Sequence, residues 1–90
     1  MQTINSCPQL NSRFVFRWEE SQGAYILLYP EGLIKLNQSA GEILKRCDGK
    51  RTVDEIVADL ALAFPGDQEA IAQGTASFLA VARDKGWLQN

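Results

Sequence analysis

The chain has 90 residues, two cysteines, no histidine and a net charge of −2, with a pI near 5.0. A chain of this length folds as one domain and buries only roughly 60–65% of the surface that its unfolded form exposes, so a two-layer core is its limit. The acidic balance argues against a general attraction to nucleic acid or membranes, and without histidine the chain lacks the commonest general base and metal ligand.

The N-terminus differs in character from the rest of the chain. Residues 1–12 are polar, contain Pro8 and show no periodicity, which predicts a flexible tail with an exposed Cys7 ahead of a single domain over residues 13–90. Cys7 and Cys47 lie far apart in sequence, and we interpret them as reduced thiols in the cytoplasm rather than as a disulfide. No segment has the pattern of an export signal or of a membrane span.

Three short strands are predicted after this tail, at about residues 13–18, 24–29 and 33–36. The first alternates, and it places Phe14, Phe16 and Trp18 on one face, which predicts that this face is covered. The second is apolar on both faces, as is typical of a central strand. Pro30 and Gly32 favour a β-turn between the second and third strands, so the neighbours are predicted to be antiparallel.

Three helices follow, and they are predicted at about residues 38–47, 53–64 and 67–85. Asn37 is placed to cap the first helix, and Thr52 with Glu55 forms a capping box for the second. Gly86 ends the third helix, after which Trp87 is predicted to fold back as a closing plug. The sequence therefore predicts an α+β fold, a three-stranded antiparallel meander followed by a three-helix bundle in a winged-helix-like arrangement.

The third predicted helix carries two stripes of different character. The stripe that is predicted to face the core consists of Ile71, Thr75, Phe78, Leu79 and Ala82. The second stripe consists mainly of small side chains, at Ala70, Gly74, Ser77 and Val81. Small side chains let another backbone approach closely, so this second stripe either packs against another helix or lines a groove.

The sequence offers no catalytic constellation. Ser39, Thr52 and Ser77 have no evident base nearby, and Cys47 lies on an apolar helical stripe, where a thiol is usually inert. The carboxylates near the start of the second helix suit a solvated helix end that favours negative charge. We therefore expect a protein that is not an enzyme and that needs neither a metal nor another cofactor.

Basic residues occur at two places that invite a functional interpretation. Lys35 lies on the predicted edge strand, where it either discourages aggregation or meets an acidic peptide. The one basic cluster surrounds the turn between the first two helices and consists of Lys45, Arg46, Lys50 and Arg51. Favourable interaction with the end of the first helix accounts for part of this cluster, and the alternative is a surface for docking a partner protein.

Several short motifs along the chain are unusual. They are Trp18-Glu19, Leu28-Tyr29-Pro30-Glu31-Gly32, Leu36-Asn37, Cys47-Asp48-Gly49, Phe64-Pro65 and Gly86-Trp87-Leu88. Together they resemble the PqqD family, small proteins of pyrroloquinoline quinone (PQQ) biosynthesis. The resemblance extends from about Phe14 to Leu88. It implies a sheet followed by three helices that binds a ribosomal precursor peptide, PqqA, and presents it to a radical S-adenosylmethionine enzyme, PqqE.

The resemblance also implies a peptide site on the third strand and the third helix. Its predicted residues are Leu33, Ile34, Lys35, Leu36, Gly74, Ser77, Phe78 and Val81. An edge strand beside a groove suits strand addition by a peptide. A winged-helix DNA-binding module is the alternative, but its recognition helix would begin with Asp67 and Glu69, which repel phosphates. The assembly is predicted to be a monomer, or a dimer through the free edge or through exchange of the N-terminal strand.

Overall fold

The structure is a computed structural model, and it describes residues 7–89. Its elements in chain order are β1 (Val15–Glu19), β2 (Ala24–Tyr29), β3 (Gly32–Lys35), α1 (Gln38–Lys45), α2 (Val53–Ala63) and α3 (Gln68–Asp84). The predicted order of strands and helices is confirmed, and the first half of the predicted tail lies outside the described residues. None of the helices in the described range is long and apolar enough to cross a membrane.

The three strands form an antiparallel sheet with β2 in the centre. Leu27 of β2 lies opposite Ile34 of β3, and Tyr29 lies opposite Gly32. Because Tyr29 and Gly32 are directly paired on either side of Pro30 and Glu31, the predicted β-turn is confirmed. The central position of β2 explains why its apolar residues are shielded from solvent, and Leu27 is completely buried.

One face of the sheet packs closely against α1. A Cβ atom on Gly41 would lie 2.6 Å from Cδ2 of Tyr25, so the helix backbone touches this ring. The Tyr25 ring stacks on Phe16 with centroids 4.9 Å apart and meets Trp18 edge-on at 5.1 Å. The prediction that the aromatic face of β1 is covered is wrong for Trp18, which is 48% exposed. Trp18 lies beside the β1–β2 hairpin, where its indole N–H donates to Glu20.

Buried side chains from the sheet and all three helices form one core. Its larger members are Leu27, Leu36, Ile43, Leu44, Ile56, Leu60 and Leu79. Trp87 and Leu88 are buried in the same core, so the predicted closing plug is confirmed. The chain turns back at Gly86, which has a φ of +78°. The N–H of Gly86 donates to the carbonyl of Arg83 at 3.0 Å and that of Trp87 to Ala82 at 2.9 Å, the two bonds of a Schellman motif.

The predicted helix caps are present. The side-chain oxygen of Asn37 accepts a hydrogen bond from the N–H of Ala40 at 2.8 Å, which satisfies a backbone group that α1 leaves without a partner. Thr52 and Glu55 each accept a hydrogen bond from the other's backbone N–H, so the predicted capping box of α2 is confirmed. These local bonds determine where α1 and α2 begin, and α1 therefore starts directly after the sheet.

The prediction of a loose tail over residues 1–12 is wrong for its described part. Pro8 is fully buried, and its carbonyl accepts the N–H of Gly49 at 2.9 Å. The N–H of Asn11 donates to the carbonyl of Trp87 at 2.7 Å. This segment therefore ties the turn after α1 to the end of the chain. The contacts join residues far apart in sequence, so a local pattern of polar residues does not reveal them.

Candidate functional site

β3 is an edge strand whose side chains alternate between two environments. Within residues 7–89, its hydrogen-bonded neighbour is β2 alone. Ile34 is half-buried against the core, and Leu36, which follows the strand, is buried in it. Leu33 and Lys35 are exposed, so their side chains point to the face of the sheet that is turned away from the helices. One long side of β3 is therefore available to another extended chain.

The hydrogen bonds of the ladder show which backbone groups of β3 point to that open side. The N–H of Leu36 donates to the carbonyl of Tyr25 at 3.0 Å, so these two residues are a hydrogen-bonded pair. Hydrogen-bonded pairs alternate along an antiparallel ladder, and Ile34 is therefore bonded to β2 as well. It follows that the N–H and C=O groups of Leu33 and Lys35 point away from β2, toward the open edge.

A cavity of about 520 Å³ lies between the start of α1, the end of α2 and the middle of α3. Gln38 and Ser39 contribute a polar wall at the start of α1. Phe64, Ile71 and Phe78 contribute apolar surface from α2 and α3. Because α1 begins only three residues after β3 ends, the polar wall begins close to the end of the open edge. An extended peptide on that edge would therefore run toward the cavity.

The small-residue stripe of α3 faces solvent. Its members are all exposed: Ala70, Gly74, Ser77 and Val81. The alternative that this stripe packs against α1 or α2 is therefore excluded. A Cβ atom on Gly74 would meet nothing within 4 Å, so the fold itself does not need a glycine there. The core stripe of α3 behaves as predicted, since Thr75, Leu79 and Ala82 are buried.

The predicted peptide residues fall into four groups. Gly74 and Phe78 line the cavity, while Ser77 and Val81 lie on the exposed stripe of the same helix. The residues of the strand from Leu33 to Lys35 lie along the open edge. The side chain of Leu36 is part of the core and is withdrawn from the surface, so its prediction as a contact residue is wrong for that side chain.

Sequence reasoning missed the cavity residues of α1 and α2. Gln38, Ser39 and Phe64 line the cavity but were assigned no role in binding. A signal for Gln38 and Ser39 does exist, because a strand that leads into a helix through a cap at Asn37 must place the first helical turn beside the end of the strand. Phe64 has no such local signal, since its position depends on how α2 crosses α1.

The predicted basic cluster does not form one exposed patch of cations. Its members are Lys45, Arg46, Lys50 and Arg51. Arg46 is only 9% exposed, and its guanidinium binds Glu42 at 2.9 Å and also Asp59 of α2. Its prediction as a docking residue is therefore wrong, because its charge is used to join α1 to α2. The two lysines are exposed, whereas Arg51 is half-buried with its Nε 4.0 Å from a carboxylate oxygen of Asp48.

The charges around the α1–α2 turn shift one another's ionisation. Burial alone would lower the pKa of Arg46, but its hydrogen bonds to Glu42 and Asp59 outweigh this and raise it. The hydrogen bond from Arg46 is also the main reason why the pKa of Asp59 lies below its ordinary value of 3.8. A hydrogen bond from the backbone N–H of Lys50 is the main cause that lowers the pKa of Asp48. The lowered pKa values of Asp59 and Asp48 both favour the ionised carboxylate.

Acid is therefore expected to destabilise the α1–α2 junction. A carboxylate with a lowered folded pKa contributes stability above its unfolded value of 3.8, and this contribution is lost as the pH falls through the lower folded value. Thermal melting between about pH 6 and pH 2 should show a steeper loss below about pH 4 for the unmodified chain than for Asp59→Asn. Asp54→Asn, an exposed carboxylate in the first turn of α2, is the charge-matched control. An equal slope for all three proteins would contradict the argument.

The two cysteines differ in accessibility. Cys47 is buried as predicted, and its thiol donates to the carbonyl of Ile43 at 3.3 Å. Burial is the main cause that raises the pKa of this thiol to about 11, so little reactive thiolate is present at neutral pH. Cys7 is half-buried rather than exposed as predicted, because the adjoining Pro8 packs into the domain. Within the described range, no group of three or more His, Cys, Asp or Glu side chains is placed to hold a metal ion.

Comparison with known proteins identifies the family. The family model of coenzyme PQQ synthesis protein D (PqqD) matches residues 24–88, from the first residue of β2 to the closing plug. The chain belongs to the PqqD family. The PqqA binding protein of Azotobacter vinelandii, a curated relative, is 45% identical over 87 residues, which cover 97% of this chain and 94% of that protein. The resemblance carried by the turn, cap and plug motifs is thereby confirmed.

Solved structures of PqqD and related domains have the same fold. The solution structure of the PqqD truncation of Methylobacterium extorquens PqqCD, described as a functional stand-alone recognition element for ribosomally made, modified peptides, matches with a TM-score of 0.78 and 29% identity. The match covers 92% of this chain and 88% of that one. TbiB1 in complex with the TbiA(beta) leader peptide matches with a TM-score of 0.75 at 17% identity, over 91% of this chain and 95% of that one, and this likeness shows the fold alone.

Proposed function

We propose that this chain is a peptide chaperone of PQQ biosynthesis that acts in the cytoplasm and has no catalytic activity of its own. It binds the ribosomal precursor peptide PqqA as an added strand on the open edge of β3 and presents it to the radical S-adenosylmethionine enzyme PqqE. The observation that carries this proposal is the open edge at Leu33 and Lys35, which runs toward an apolar cavity beside α3.

The comparisons support the choice of ligand. The curated relative from Azotobacter vinelandii is named a PqqA binding protein, and the solved Methylobacterium extorquens domain is described as a peptide recognition element. A relative at 45% identity over nearly its whole length has the same residues at many positions, so the same ligand class is the natural assignment. Both proteins are named for peptide binding or recognition, and burial raises the pKa of the Cys47 thiol to about 11, so this thiol is a poor nucleophile at neutral pH.

Energetics indicate that the edge and the cavity act together. Leu33 and Lys35 offer two N–H and two C=O groups to a peptide. A hydrogen bond contributes about 0.5–1.5 kcal/mol net, so four of them provide about 2–6 kcal/mol. Binding with a Kd of about 1 μM needs about 8 kcal/mol, even before the cost of ordering the peptide. Apolar peptide side chains must therefore supply the remainder, at about 1.5–3 kcal/mol for each one that is fully buried against the cavity walls.

Two predicted assembly states remain part of the proposal, a monomer and a dimer. A dimer through the β3 edge would use the same N–H and C=O groups as the peptide, so peptide and second copy would compete for Leu33 and Lys35. A dimer by exchange of the N-terminal strand leaves that edge available. Light scattering with and without PqqA separates these cases, because only the first dimer should dissociate when the peptide binds.

Isothermal titration calorimetry of the chain with synthetic PqqA tests the proposed function. We expect saturable binding with a one-to-one stoichiometry and a negative heat-capacity change from burial of apolar surface. A scrambled peptide of the same composition is the control, and a DNA duplex titrated at about 150 mM salt tests the alternative, since that ionic strength screens weak surface charge. Equal heats for both peptides, or sequence-dependent DNA binding, would overturn the assignment.

A further inference from the structure

The face of the sheet turned away from the helices carries an apolar row across all three strands. Val15, Leu28 and Leu33 lie side by side in the register of the sheet. Val15 is 56% exposed and Leu33 is 51% exposed. The solvated face of an antiparallel sheet normally alternates to polar side chains, so an apolar row at outward positions departs from the expected pattern. The fold gains little from these exposed groups, which points to a partner.

The next row adds positive charge to this outer face. Arg17 and Lys35 lie on either side of Ile26, and both are exposed. Ile26 is only 1% exposed, although it is not part of the core cluster on the helix side. Arg17 binds Glu19 at 3.1 Å, but an ion pair this exposed contributes little and is easily exchanged. An acidic chain thus presents a face that combines apolar and basic side chains.

We propose that this outer face docks the enzyme that modifies the bound peptide, through an enzyme surface that has carboxylates around apolar side chains. The inference rests on the proposed function, because a peptide added to β3 becomes a fourth strand of the same face. The peptide would lie about 4.8 Å from β3, and every second peptide side chain would stand beside Leu33 and Lys35. An enzyme seated on this face then contacts the domain and the peptide together.

Binding of the peptide and of the enzyme is therefore coupled. The added strand enlarges the docking surface, so PqqA raises the affinity of the enzyme, and by linkage the enzyme raises the affinity of PqqA by the same factor. The attraction also weakens with salt, because Arg17 and Lys35 are exposed. A second copy of this chain suits the outer face less well, because pairing two such faces would bring the cations Arg17 and Lys35 of both copies together.

The test uses variants on β1, which is separated from the β3 edge by the central strand. Val15→Glu removes an apolar group and adds a repulsive charge, while Arg17→Glu reverses a cation. Lys50→Glu is the charge-matched comparison, because it reverses an exposed cation in the basic cluster at the α1–α2 turn, the rival docking surface. Titration with purified PqqE and, separately, with PqqA gives both affinities for each variant, and a melting curve verifies that it is folded.

We expect each β1 variant to bind PqqE at least about tenfold more weakly and to keep its affinity for PqqA within about twofold, whereas Lys50→Glu binds both normally. Normal binding of PqqE by both β1 variants overturns the inference. The inference is also overturned if only Lys50→Glu loses affinity for PqqE. It is overturned as well if the chain alone is a dimer and Val15→Glu converts it to a monomer, because the outer face then pairs two copies of the chain. Failure of the unmodified chain to bind PqqA refutes the proposed function instead, and the PqqE titration still decides the docking surface.

Discussion

Ile34→Pro is expected to unfold the domain, whereas Lys35→Pro is expected to leave it folded and to weaken PqqA binding by at least about tenfold, or roughly 1.4 kcal/mol. Proline removes a backbone N–H. The N–H of Ile34 belongs to the ladder with β2, as the alternation from the bonded pair Leu36–Tyr25 requires. The N–H of Lys35 points to the open edge, where the fold does not use it and the peptide would.

Lys35→Ala is the control that separates the backbone from the side chain. It removes the ammonium group but keeps the N–H, so it should bind PqqA more tightly than Lys35→Pro does. A melting curve and a calorimetric titration for each of the three variants decide the matter. If Lys35→Pro and Lys35→Ala bind PqqA equally, the loss of the lysine charge explains the weaker binding, and strand addition at this edge does not. If Ile34→Pro and Lys35→Pro both fold and bind normally, the peptide binds elsewhere.

Local chemistry explains which parts of the fold could be predicted from the sequence. The turn at Pro30, the caps at Asn37 and Thr52 and the reversal at Gly86 each depend on residues within a few positions of one another. Such features place every strand and helix to within two residues of its observed bounds. The opposite character of the two stripes of α3 is also local, because it follows from helical periodicity alone.

The parts that could not be predicted depend on partners distant in sequence. Pro8 is buried because the segment around it meets the turn after α1 and the end of the chain. The sequence places Arg46 among four surface cations, but in the structure Arg46 is buried and forms an ion pair with Asp59 of α2. The backbone N–H groups of an edge strand alternate between its two sides, but the sequence does not show which of them point to the open side. The hydrogen bond from the N–H of Leu36 to the carbonyl of Tyr25 shows that the backbone N–H of Lys35, and not that of Ile34, points to the open side.

Gly41→Ala is expected to destabilise the domain by about 1–2 kcal/mol, although alanine is the better helix former by about 1 kcal/mol. The new Cβ would lie 2.6 Å from Cδ2 and 3.0 Å from Cβ of Tyr25. The Tyr25 ring is held between Phe16 and Trp18, so it has little room to move away. For a domain of this size, each kcal/mol lowers the melting temperature by about 4–8 °C.

Gly74→Ala makes the same exchange within a helix where the fold leaves space, since nothing lies within 4 Å of the new Cβ. It is therefore expected to raise the stability by up to about 1 kcal/mol, as alanine gains its full helix preference. Gly74 also lines the cavity, so the added methyl group should weaken PqqA binding if the peptide backbone runs against α3 there. Gly41→Ala should thus lower the melting temperature, whereas Gly74→Ala should raise it. Of the two variants, only Gly74→Ala should make the fold more stable and also weaken PqqA binding. If Gly74→Ala stabilises the fold and binds PqqA with unchanged affinity, the peptide does not approach α3 closely at this residue, and the exposed stripe has another use.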